Sequence, residues 1–250
     1  VNFWRPKSTS QFRALEPGGL FLFKLHSPND FIVGGGFFLK HSVLPLSLAW
    51  DAFELKNGAP NIDELRQRIW SIRGDRHFDP EIGSTVLVSP FFWDSNDWIP
   101  VPTNWNRSIM RGKTYSTDEP IGKDLWTKVH ERLESTFWFN EEIKEAIEEP
   151  ARYGKEFLTK VRLGQGSFRV MVTEAYAKRC SVTGERTLPV LQAAHIKPFS
   201  MDGPHNVKNG ILLRSDLHIL FDGGYITVTP NRQVIVSRSI KEEFKNGRDY

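Results

Sequence analysis

Residues 193–224 read AAHIKPFSMDGPHNVKNGILLRSDLHILFDGG. An apolar run, VLQAAHI, closes on His195, and Lys197-Pro198 then takes the chain out of strand conformation at once. A Gly/Pro/Asn loop leads to Asn209, which opens a second apolar run, NGILL. The last piece, SDLHILFD (215–222), has the local signals of a short helix. Ser215 is a good N-cap, Asp216 is an acid in the first turn, and Gly223-Gly224 supplies a left-handed stop. The expected unit is a small hairpin holding one imidazole against a helix that holds another.

Within that helix His218 and Asp222 are four residues apart and share a face. Imidazole plus carboxylate is a partial ligand set for Mg²⁺ or Mn²⁺ that leaves positions open for water and phosphate. Asp222 stands in the last turn, at the negative end of the helix dipole, where a cation is preferred. Alone, such a pair reads as a solvated polar face; with His195 and Asn209 upstream the ligand reading outweighs it. His195, at a strand edge, suits a general base, because an imidazole titrating near neutrality takes a proton from an attacking water. The competing reading is a buried histidine satisfied by a backbone carbonyl. Asn209 orients the histidine, braces the loop, or is simply the turn residue ahead of Gly210. His205, on the loop, is expected to be exposed, a ligand role being the lesser reading.

The blocks GQGSFRV (164–170), AYAKRCSVTGE (175–185), LQAAHIKP (191–198) and NGILLRSDLHILFDGGYITV (209–228) follow in order. With them, the segment from about Arg162 to Tyr250 resembles an HNH, or ββα-metal, endonuclease domain. The resemblance implies metal-dependent hydrolysis of a DNA phosphodiester, with His195, Asn209 and His218 as the catalytic set. His195 is then the general base, Asn209 the middle residue and His218 the metal-binding residue. Asp222 is an extra metal ligand one turn later. The ion is Mg²⁺ or Mn²⁺, with Ni²⁺ or Co²⁺ as further options.

Two departures stand out. Many HNH nucleases place Asp or His just before the general base, whereas this chain has Ala194; Gln192, on the same strand face, offers an oxygen instead. The lone Cys180 cannot build a four-cysteine site, so no structural zinc is expected and the thiol reads as a small buried hydrophobe. For phosphate the candidates are Arg162, Gln165 and Arg169 around GQG, with Lys197 and Arg214 beside the base and the helix. Arg214 is the favoured one, set against the reading of these arginines as surface groups in weak salt bridges.

Composition divides the 250 residues in two. All eight tryptophans (4, 50, 70, 93, 98, 105, 126 and 138) lie in the first 138 residues. Residues 151–250 hold 16 Lys+Arg against 9 Asp+Glu, net +7, as a polyanion-binding part would. Residues 1–150 hold 17 against 21, net −4, with much of the acid in 118–149. The stretch 122–149 reads as amphipathic helix with Leu125, Trp126, Val129 and Leu133 on one stripe. The expected domains are 1–150 and 151–250. No 18-residue apolar run or signal peptide is present, and one cysteine excludes disulfide scaffolding, so a cytoplasmic protein without membrane spans is expected. The chain starts at Val1 without methionine and stops inside a charged run, which suggests a processed or incomplete version of a longer product.

The front half alternates strand-like and helix-like runs: GGLFLFKL (18–25), FIVGGGFFLK (31–40), PLSLAWDAFELKNG (45–58), IDELRQRIWSIR (62–73) and GSTVLVSPFFW (83–93). The fold class is therefore α+β. Its Pro-Gly-Gly turn, Asn29-Asp30 and Gly34-Gly35-Gly36 run resemble the PUA-like barrels, including EVE, YTH and SRA-type domains. That resemblance implies a small β-barrel whose mouth accepts a single, often modified, base. Trp4, Phe38, Trp50 and Trp93 are the candidate cage, with Asp94 as an edge acceptor, although tryptophan in a small β domain is more often core.

The whole resembles modification-dependent restriction endonucleases, which implies double-stranded DNA with a modified base as partner. Cutting two strands with a single-site nuclease calls for two copies, so a homodimer is consistent. Two alternatives stay open. One is an HNH nuclease or nickase whose front half reads RNA, unmodified DNA or a protein. The other is a non-catalytic nucleic-acid-binding protein, for which Ala194 is the best support.

Overall fold

The computed structural model describes residues 1–7, 12–106, 108–109, 112–136, 163–198, 201 and 203–246. It divides into two compact units, Val1–Val161 and Arg162–Tyr250. Helices and strands mix in both, an α+β architecture. Arg162 and the expected helix beyond Thr136 lie outside the described residues.

The first unit is built on an antiparallel sheet of β1 (Asn2–Arg5), β2 (Leu20–Lys24), β3 (Phe31–Pro45) and β4 (Glu81–Phe92), in the order β1-β4-β3-β2. A short β5 (Ile99–Pro100) pairs with β3. Helices α1 (Leu46–Phe53) and α2 (Ile62–Arg73) connect β3 to β4, and α1 packs on both strands. The ends of α2 are those its sequence predicts. Asn61 caps it, its side chain accepting from the Glu64 N–H at 2.8 Å, and Gly74 stops it at φ +77°. Leu44, Leu46, Ala49, Leu65, Ile69, Ile82 and Val86 are buried. Farther along, α3 (Pro120–Thr136) buries Leu125, Val129 and Leu133, three of its four predicted stripe residues.

The glycine run has a packing reason. A Cβ on Gly34 would lie 2.2 Å from the Phe91 carbonyl oxygen, and one on Gly35 would lie 2.7 Å from that of Phe21. Both neighbours of β3 therefore close in where it has no side chain, and its register on β4 slips just beyond, between Gly35 and Phe37.

Strands β1 and β2 stand at opposite ends of the strand order, three spacings or roughly 14 Å apart if the sheet were flat. Yet the Phe3 ring centroid is 5.4 Å from that of Phe21 and 4.9 Å from that of Phe23. The sheet must curl until its edges meet ring to ring. Inside the curl lie Phe23, Val33, Phe38 and Leu87, with Phe12 and Phe21 against them. The expected barrel is thus not closed: among the described residues no strand pairing joins β1 to β2.

In the second unit α4 (Gln165–Ala175) precedes a hairpin of β6 (Leu191–His195) and β7 (Gly210–Arg214). Then follow α5 (Ser215–Asp222), the pair β8 (Ile226–Val228) and β9 (Val234–Val236), and α6 (Arg238–Phe244). β6 and β7 run antiparallel, from Leu191 opposite Arg214 to His195 opposite Gly210. Both α4 and α5 pack on this hairpin. α4 comes so close that a Cβ on Gly210 would lie 2.2 Å from Val172 Cγ2. β7 runs straight into α5, so the N-cap is Arg214 rather than the expected Ser215, with no side-chain cap bond. The Arg214 N–H meets Cys180 Sγ at 3.4 Å instead. The left-handed stop falls on Gly224, at φ +73°. Among the described residues no helix is long and apolar enough to cross a membrane.

Candidate active site

The end of β6 presents His195. Its ring lies face to face on Phe168 of α4, with centroids 4.0 Å apart and planes 3° from parallel. His205 crosses the edge of this pair, 4.8 Å from His195 and 6.0 Å from Phe168. His205 is therefore half-buried against the proposed base, not the exposed loop residue expected from its neighbours. Nε2 of His195 is sealed from solvent and has no hydrogen-bond partner among the described residues. The carbonyl-satisfied buried histidine is not what forms.

Burial pushes the proton affinity of His195 below the ordinary histidine value, and the neighbouring His205 pushes it the same way. Asp222 acts in the opposite sense and His218 in the same sense as burial. Both groups of α5 thus lie within electrostatic reach of the imidazole.

Asn209, 7% exposed, directs its side-chain hydrogen bonds to the loop rather than to His195. Its Oδ1 accepts from the Lys197 N–H at 2.8 Å, and its Nδ2 donates to the carbonyls of Lys197 at 2.9 Å and Pro204 at 3.0 Å. Of the three roles open to it, bracing the loop is the one the contacts describe. The backbone continues the brace, since Ile196 N–H donates to the Asn209 carbonyl at 2.8 Å. Gly203 lets the loop fold tightly, for a Cβ there would sit 1.9 Å from the Lys197 oxygen.

On α5, His218 Nε2 is 3.2 Å from Asp222 Oδ2, and His218 Nδ1 is 2.7 Å from Gln192 Oε1. In the tautomer that donates Nδ1–H to the Gln192 amide oxygen, Nε2 is the nitrogen left to share an ion with Asp222. Gln192, expected as a source of an oxygen, directs that oxygen to His218 Nδ1, where it orients the ring. Two ligands at about 2.1 Å from one ion and at right angles to each other are about 3.0 Å apart. The pair His218–Asp222 fits that separation. Among the described residues no group of three or more His, Cys, Asp and Glu converges, so water and phosphate would complete the shell. Ala194, the residue before His195, is buried and its methyl group offers no ligand atom.

The candidate phosphate contacts are spread along the unit. Gln165 is the exposed first residue of α4, Arg169 is half-buried on the same helix, and Lys197 is exposed beside the Asn209 clamp. Arg214 turns its fork onto Asp216, with Nε to Oδ1 and the terminal nitrogen to Oδ2 both at 2.7 Å. Cys180 is buried as expected, but its sulfur also works as an acceptor. Burial raises its proton affinity, while hydrogen bonds from Thr183, Val182 and Arg214 more than offset this and leave it lowered.

The five residues expected to line a base pocket in the first unit stand in differing surroundings. Phe38 and Trp93 are buried in the core, which corrects their reading as cage walls. Trp4 is half-buried and donates its indole N–H to the Asn57 carbonyl at 2.9 Å. Trp50 is on α1, and Asp94 is exposed ahead of a short turn. No ring contact joins any two of these aromatics among the described residues. Sequence reasoning missed Phe168, although it lies inside the quoted GQGSFRV block.

Residues 180–229, which hold the hairpin, His195 and α5, match the family model described as HNH endonuclease. A comparison with curated proteins finds no match. Residues 180–229 of the second unit thus carry an HNH endonuclease domain, which supports a nuclease, a phosphodiester hydrolase, with DNA as the implied substrate.

Proposed function

We propose that this chain is a divalent-metal-dependent DNA endonuclease of restriction type, whose second unit cuts and whose first unit reads a modified base. The observation that carries the cutting half is the pairing of His218 with Asp222 at 3.2 Å, on a helix whose charges reach His195. His195, with Nε2 sealed, takes the proton of an attacking water at Nδ1. Asn209 holds the loop that ends in this base. His218 and Asp222 hold the ion, Mg²⁺ or Mn²⁺, which when bound stabilises charge developing on the phosphate. Gln165, Arg169 and Lys197 are the groups for the DNA backbone, and Arg214 joins them only by releasing Asp216.

The reading half rests on the curled sheet. Two rings in contact with its Phe23 face solvent, Phe3 on β1 at 43% and Phe92 on β4 at 67% exposure, at 4.9 and 5.4 Å from that ring. Extruding a base costs a few kcal/mol, and stacking on such faces returns a comparable amount. These rings, rather than Phe38 or Trp93, are the surfaces open to a base. The role belongs to defence against incoming DNA in the cytoplasm, with two copies acting when both strands are cut.

The test pairs two plasmids of one sequence, one carrying methyl- or hydroxymethylcytosine and one unmodified, with the protein and Mg²⁺ or Mn²⁺. Cleavage confined to the modified plasmid and lost in His195→Ala is the expected result. Equal cutting of both plasmids would assign the first unit to unmodified DNA, RNA or a protein instead. That second reading is favoured by the scatter of Trp4, Phe38, Trp50 and Trp93. Sedimentation with and without DNA decides the homodimer.

A further inference from the structure

The arrangement around His195 contains two groups that the cutting chemistry above does not use. Phe168 is 1% exposed, on the face of α4 that also carries buried Val172, and it stacks flat on the imidazole. His205 meets that stacked pair at about 60° and is itself tied down, its carbonyl accepting from the Leu163 N–H at 3.2 Å. Leu163 directly precedes the helix that carries Phe168, so one anchor sets both rings.

From this geometry we infer that Phe168 and His205 are positioning residues for His195: they fix the plane of its ring and leave Nδ1 as the nitrogen that meets the attacking water. The inference rests on the proposed role of His195 as base. A histidine at the end of a strand has two free torsions, and a proton transfer needs its nitrogen within hydrogen-bond reach of the water. The flat contact with Phe168 removes rotation out of plane, and His205 against the edge removes sliding within it. The burial that seals Nε2 follows from the same packing. It favours the neutral ring, which is the form that accepts a proton. The charges that bear on this ring are His205 from the loop, and His218 and Asp222 from α5.

Full-length Phe168→Leu and His205→Asn test the inference, with Mn²⁺ and the plasmid the wild type cuts. Phe168→Leu keeps an apolar side chain in the core but loses the flat face. It is expected to lower kcat by about tenfold to a hundredfold, with KM and Mn²⁺ affinity within about twofold of wild type. His205→Asn removes a like charge, so His195 should take up its proton at higher pH. That shift is read directly by ring-nitrogen NMR of the metal-free protein, with the signal assigned by its loss in His195→Gln. The acid limb of the pH–rate profile should move the same way. An unchanged kcat in folded Phe168→Leu, or an unmoved His195 titration in His205→Asn, would overturn the inference. Should Phe168→Leu not fold, His205→Asn alone decides. Should the wild type cut nothing, the proposed function falls while the NMR titration still judges the ring cluster.

Discussion

Asn209 grips the backbone of Lys197 from both sides, accepting from its N–H at 2.8 Å and donating to its carbonyl at 2.9 Å. One buried amide thereby ties the start of β7 to the exit of β6, two residues past His195. Its second donor bond, to the Pro204 carbonyl at 3.0 Å, pins the intervening loop as well.

Replacing Asn209 by Asp sets a carboxylate against the two carbonyl oxygens that now accept from Nδ2. The expected loss is about 3 kcal/mol, because a buried charge would face acceptors without a donor of its own. Denaturant unfolding measures it. A change under about 0.5 kcal/mol, typical of a surface site, would show that the clamp does not hold the loop.

Gln192→Ala removes the acceptor behind His218 and frees its ring to turn. Partners in that position typically govern tenfold to hundredfold of metal affinity. Calorimetric titration with Mn²⁺ should show a drop of about that size, and chelation should abolish cleavage in wild type and variant alike. Equal Mn²⁺ affinity in both proteins would place the ion away from His218.

The acid limb of cleavage should fall below the ordinary histidine value of 6.5, since burial and His205 disfavour the charged form of His195. The same shift acts on stability. Below 6.5 the unfolded chain takes up a proton that the folded chain does not, so acidification destabilises the fold until the lowered folded value is passed. Above 6.5 the group contributes no pH dependence. Unfolding midpoints of His195→Gln across pH 5 to 8 should therefore be flatter than those of wild type, and an identical slope would refute the assignment.

Gly210→Ala drives a methyl group to 2.2 Å from Val172 and 3.1 Å from Phe168, in a contact between α4 and β7 with no room to yield. Overpacking of this kind costs about 1–3 kcal/mol. Gly164→Ala, where an added Cβ meets nothing within 4 Å, is the control and should cost only the poorer N-cap of α4, under about 1 kcal/mol. Thermal unfolding of the two variants side by side is the comparison, and equal midpoints would contradict the packing.

Much of the local structure was legible. The helix-like run 62–73 forms α2 over the same residues, and the hairpin–helix order follows from apolar runs broken at Lys197-Pro198 and at Gly223-Gly224. The pairing of His218 with Asp222 is a matter of helical spacing, and it appears as spaced. What escaped depends on residues far apart in sequence. Phe168 looks like any apolar residue on an amphipathic helix, and nothing in GQGSFRV says that its face meets an imidazole 27 positions later. His205 sits among polar loop residues and reads as exposed until two rings close on it. In the front half aromatic content was visible, but which rings face inward is decided by the curl of the sheet. That is why Phe38 and Trp93 are core while Phe3 and Phe92 are open.

A tube zipped by phenylalanine rings behaves differently from one laced by backbone bonds. Parting Phe3 from Phe21 and Phe23 gives up dispersion and some wetting of apolar area, but it leaves every ladder bond of the sheet in place. The wall is thus weakest along that line, and a flat aromatic guest sliding between those rings would replace the contacts it broke.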